Sequence, residues 1–149
     1  MYYLIHMKHL KGFTIVELLV VVSILAVLAS IVFVNVSVYI NKGKNAAIKS
    51  NLSTALVNSA VYADTNHSYN GFCFSSGLTG PAAAVKGAGG SDPLPCIEST
   101  DKIAFCACSK LLNTVAEPTG STLCIDSTGN KKITQIDCDT ECSTDGACI

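Results

Sequence analysis

The chain has 149 residues and a formal charge of −1, ten basic side chains against eleven acidic ones. All ten are Lys, so the Arg-bearing basic stripe of a general nucleic-acid binder is missing, and the length sets one modest domain. Apolar residues crowd before residue 41; the remainder is rich in Gly, Ser, Thr, Asn and Asp and holds all eight Cys.

Residues 1–12 read as a short basic leader carrying Lys8 and Lys11. An apolar run follows over 18–34, broken only by Ser23 and Ser30, with a weaker tail to Ile40. Residues 13–40 are long enough to cross a bilayer, where a helix alone satisfies its backbone within one segment. A secretory signal has a shorter apolar region and is cut after it; here the polar junction Lys11-Gly12-Phe13 precedes the run. An uncleaved signal anchor is the other alternative. Lys8 and Lys11 favour a cytoplasmic leader, whereas Lys42, Lys44 and Lys49 pull the other way. The Cys-rich remainder decides for a head outside the cytoplasm, because disulfides do not persist in a reducing compartment.

Glu17 is the one charge at the start of the apolar run. Either it lies at the interface, helped by the positive end of the helix dipole, or it awaits a cation. A cut after Gly12 would supply one, the new α-amino group of Phe13.

Beyond Lys42-Gly43-Lys44, the spacing of Ile48, Leu52, Ala55/Leu56, Ser59 and Ala63 predicts an amphipathic continuation over 41–63. One helix is expected from Thr14 to about Tyr62, roughly 70 Å at the helical rise, with Gly43 a soft point. Residues 64–149 form the head. Residues 64–95 read as loop, full of turn signals such as Asn70-Gly71, Gly80-Pro81 and Asp92-Pro93, with Cys73 and Cys96 placed to tie it down. Residues 102–112 read as a strand that puts Cys106 and Cys108 on one side; a helix over 106–112 is the alternative. Strands at 122–126 and 131–136 flank a turn at 127–130. The fold class is α+β: one long N-terminal helix against a small antiparallel sheet.

Cys73, Cys96, Cys106, Cys108, Cys124, Cys138, Cys142 and Cys148 are an even set in a small head, the pattern of a disulfide scaffold. Zinc is the competitor, but no pair of C-x2-C knuckles occurs. Eight Cys allow about 100 pairings. The preferred ones join Cys138 or Cys142 to Cys148, closing a C-terminal loop, and Cys106 or Cys108 to Cys124, joining neighbouring strands. Asp137, Asp139, Glu141 and Asp145 alternate through a turn-rich tail, a possible Ca²⁺ set against a reading of solvated charge. No other cofactor is implied. No nucleophile–base pair, phosphate loop or dinucleotide fingerprint is present, and His67 stands alone, so the chain is not read as an enzyme.

Lys11-Gly12-Phe13-Thr14-Ile15-Val16-Glu17-Leu18-Leu19-Val20-Val21 resembles the class III signal of type IV pilins and pseudopilins: a basic leader ending in Gly, then Phe, an acid four residues on, and an apolar helix. The segments 62–73 and 120–130 resemble stretches of some pilin-like heads. The resemblance implies cleavage between Gly12 and Phe13 by a prepilin peptidase, N-methylation of Phe13, and a need for Glu17 in assembly and methylation. It implies a single-pass inner-membrane precursor in contact with lipid and the assembly machinery, then a homo-oligomeric helical filament, either an extracellular pilus or a periplasmic pseudopilus. The roles implied are adhesion, motility or DNA uptake. The alternatives are a type II secretion pseudopilin and, from another class, a signal-anchored, disulfide-rich surface binding protein that does not polymerise. Many family members carry Gly and Pro within the apolar helix; residues 13–40 here have neither.

Overall fold

The computed structural model describes residues 12–149, the side chains of residues 33–35 excepted, as two compact units divided after Val36. The leader, Lys11 included, lies outside the described residues except for Gly12. Helix α1 runs Ile15–Asn66, passes Gly43 without a break, and ends four residues beyond the expected Tyr62. His67, at φ 54°, takes the left-handed conformation that commonly terminates helices.

In the first unit, α1 is apolar on every side. Phe13, Ile15, Leu18, Leu25 and Leu28 are all more than half exposed. The two hydroxyls in the run are satisfied by the helix itself: Ser23 donates to Val20 O and Ser30 to Val27 O, each at 2.7 Å. Both hydroxyls thus meet hydrocarbon already paired, and by length and composition the helix can cross a membrane.

The second unit, Ser37–Ile149, is the head with the amphipathic part of α1. Asn45, Ile48, Leu52, Ala55 and Ser59 are buried at the three-to-four spacing of one helix face. Strands β1 (Cys96–Glu98), β2 (Phe105–Lys110), β3 (Thr122–Asp126) and β4 (Lys131–Thr134) form an antiparallel meander in sequence order. The α+β expectation holds. β2 takes the strand reading rather than the helical one, β3 has the expected bounds, and β4 stops two residues short.

Residues 64–95 depart from the loop reading, since they contain a 3-10 turn at Phe72–Phe74 and helix α2, Ser76–Gly87. Gly77, Gly80 and Pro81 look like breakers, but Leu78, Pro81 and Val85 share a buried face. Pro81 has no N–H with which to bond the carbonyl one turn back, at Gly77. Asn58 of α1 fills that gap, its Nδ2 donating to Gly77 O at 2.8 Å. A tertiary contact thus repairs what local sequence reading counts as a break.

Every residue of β3, and all of β2 but Lys110, is buried because both faces of the sheet are covered. Phe105, Ala107, Leu123 and Ile125 face the hydrocarbon core of α1 and α2, where Phe105 and Phe72 pack with ring centroids 4.7 Å apart. The alternate residues Cys106, Cys108 and Cys124 face the opposite way, into a second core made largely of sulfur.

Candidate functional site

Two regions hold the sequence-derived candidates. The first is the N-terminal junction. Gly12, Phe13 and Thr14 precede the helix and are exposed, with Phe13 at 72%. The Thr14 N–H and hydroxyl donate to Glu17 Oε2 at 2.9 and 2.8 Å, and the Glu17 N–H donates back to Thr14 Oγ1 at 3.1 Å. This reciprocal capping box satisfies helix-end donors that would otherwise be orphaned. It gives Glu17 a local partner and brings in Thr14, which sequence reasoning missed, although Thr-x-x-Glu ahead of an apolar run is itself a legible signal. Glu17 Oε1 makes no hydrogen bond among the described residues and stays open.

The second region is the C-terminal segment, which lies on the sulfur face of the sheet. Its short helix α3 (Cys138–Glu141) and the turn beyond it are held by Cys108–Cys138, Cys106–Cys142 and Cys124–Cys148. The fourth bond, Cys73–Cys96, ties the 3-10 turn to β1. The other pairings correct the expectation. Cys142 and Cys148 oppose each other in an isolated bridge, and Cys108 is registered directly across from Cys124, but neither pair is bonded. Cys106, Cys108 and Cys124 project from the same face, and the tail returns over it, so each sulfur bonds upward to the tail rather than sideways within the sheet.

Asp126 is fully buried where these parts meet. Its carboxylate accepts from the Thr128 N–H and hydroxyl, the Asn130 N–H and side-chain amide, and the Cys148 N–H. Burial works to raise its pKa, but these donors outweigh that and hold it below the usual Asp range. One side chain therefore shapes the β3–β4 turn and fixes the end of the tail. Glu98 acts similarly at the Cys73–Cys96 bond. Burial is opposed by the N–H groups of Cys73 and Gly71 and by Lys102, and its pKa is lowered.

The four acidic tail residues do not converge. Asp137 caps α3, accepting from the Asp139 N–H at 3.1 Å. Glu141 is fully buried; its Oε2 accepts from the Thr134 hydroxyl at 2.7 Å, and its Oε1 has no partner among the described residues. Asp145 lies on a different surface, beside Asp101 and Ile103. Among the described residues, the one group of metal-ligating atoms close enough to share an ion is Cys106, Cys124 and Cys142, all in disulfides.

The exposed junction and the capping box lead directly into an apolar helix that by length and composition can cross a membrane. Among known families one model matches: the prokaryotic N-terminal methylation motif, the class III signal of type IV pilins and pseudopilins, over residues 7–33. That motif marks a structural precursor rather than an enzyme family. No curated protein and no solved structure matches the chain.

Proposed function

We propose that the chain is a prepilin, cut between Gly12 and Phe13 by a prepilin peptidase, N-methylated on Phe13, and assembled as a structural subunit of a type IV pilus-like filament. The observation that carries this reading is the methylation motif over residues 7–33 running directly into an exposed apolar helix. Before assembly the helix is held by inner-membrane lipid with the head outside the cytoplasm, where its four disulfides persist. Assembly exchanges lipid for the helices of other copies.

Cleavage turns the Phe13 nitrogen into an amine that is cationic at neutral pH. Glu17 uses Oε2 for its own helix start and keeps Oε1 available. A copy whose Phe13 amine reaches a neighbour's Glu17 pairs two charges that are each costly alone in an apolar setting. Mass spectrometry of the mature protein tests the reading. A chain that begins at Phe13 and is one methyl group heavier than its sequence is expected; an intact Met1, or a start near residue 40, overturns it.

A further inference from the structure

Between Glu17 and Asp64, α1 carries no acid, and its basic residues there are Lys42, Lys44 and Lys49. Lys49 pairs with the buried Glu117. Lys42 and Lys44 are exposed and pair with no carboxylate among the described residues. The Lys42 ammonium lies 5.5 Å from the centre of the Tyr39 ring, and Tyr39 is 69% exposed. An interfacial Tyr followed by lysines that reach the headgroups is a common ending for a membrane-crossing helix. A helix that starts at Ile15 leaves hydrocarbon after about twenty residues, and Tyr39, Lys42 and Lys44 come in the turns that follow.

A loop of the head is fastened beside them. Asn41 Nδ2 donates to Asn113 O at 2.9 Å, one helical turn before the position where Asn45 holds Leu112. The chain that leaves β2 therefore runs along α1 toward residue 41. It reverses in a turn closed by the Thr114 N–H to Glu117 O at 2.7 Å and the Glu117 N–H to Thr114 Oγ1 at 2.9 Å. Thr114 and Glu117 are buried, which leaves Val115 and Ala116 exposed at the tip, Val115 at 88%.

We propose that this end of the head is a docking surface for an anionic bilayer, where Lys42 and Lys44 take lipid phosphates while Tyr39 and Val115 enter the interfacial layer. Charge and position select the occupant. Both unpaired charges have the sign that complements phosphate, and the surface begins where the apolar run of α1 ends, so the bilayer that holds that run supplies the partner. The inference rests on the membrane-anchored reading of residues 13–40 and adds a hold on the head to the hold on the helix. Each lysine close to an anionic surface favours docking by about five-fold, an attraction that salt screens. A subunit that leaves the membrane for a filament gives up this contact together with that of its helix.

The chain has no Trp, so Val115→Trp places a lone reporter at an exposed position. The full-length variant is reconstituted into phosphatidylcholine vesicles with or without phosphatidylglycerol, their acyl chains brominated near the headgroup. Flotation with the vesicles reports the anchor, and bromine quenching of the Trp reports the head. Because Trp itself favours the interface, the lysines decide the outcome. Quenching is expected with phosphatidylglycerol, and adding Lys42→Gln or Lys44→Gln should lower the ratio of docked to free heads by about five-fold each. A chain that floats with its Trp unquenched, or quenched equally without phosphatidylglycerol or without the two lysines, overturns the docking surface and leaves the anchor standing. A chain that does not float overturns both.

Discussion

At the Glu117 carboxylate, in the loop that follows β2, three donors converge, two of them from α1. Lys49 pairs with it, Thr114 donates its hydroxyl, and Asn45 donates from a nearly sealed position on the helix. Asn45 also accepts from the Leu112 N–H at 2.7 Å and donates to Leu112 O at 2.8 Å, so it reads that loop as a strand would. The hydrogen bond from Lys49, then that from Thr114, outweigh burial and lower the Glu117 pKa from 4.5 to about 2. A depressed carboxylate contributes stability that is complete above its unfolded pKa and lost as pH falls through its folded one. The window here therefore runs from about 4.5 down to about 2. Lys49→Met is expected to destabilise the head by about 1–3 kcal/mol at pH 7, with the deficit shrinking toward pH 2. Denaturant unfolding of the detergent-solubilised chain at the two pH values checks this, and an equal deficit at both would contradict it.

At the scale of elements, α2 shows how a helix can be hidden in a sequence. Gly77, Gly80 and Pro81 each argue against it locally, and the residue that rescues it, Asn58, lies nineteen positions earlier. Asn58→Ala leaves Gly77 O without its donor and is expected to cost about 1–3 kcal/mol. Amide exchange should quicken first within Ser76–Gly87; unchanged protection there would remove Asn58 from the account. The terminal hairpin has a comparable local device in Gly146. At φ 74° it occupies left-handed backbone, and a Cβ there would meet Ala104 C at 2.8 Å. Only a glycine lets the turn press onto the chain entering β2.

Across the whole molecule, the parts legible in advance were those with local repeats. The period of α1, the alternation in β2 and β3, and the spacing from Gly12 to Glu17 are one-dimensional signals. The disulfide partners were not legible, because which sulfurs meet depends on the tail folding back over one sheet face. The scattering of Asp137, Glu141 and Asp145 follows from the same fold-back: α3 turns one acid outward as a cap, seals the next, and leaves the last on another surface. Alternating strand residues thus divide the head into a hydrocarbon core and a sulfur core, which suits a domain too small for a large apolar interior.

The junction remains the centre of the proposed function, and there Glu17 has two tasks that one substitution separates. Glu17→Gln keeps an oxygen that can accept from Thr14 and so preserves the capping box, but removes the charge proposed to meet the Phe13 amine of another copy. The most direct measurement is the filament yield of cells making this variant, read beside the N-terminal mass of the same chain. The account predicts normal cleavage after Gly12 with filament yield reduced by about tenfold or more, the scale of one lost buried charge pair. Cleaved Glu17→Gln chains that assemble at the unsubstituted yield would contradict it.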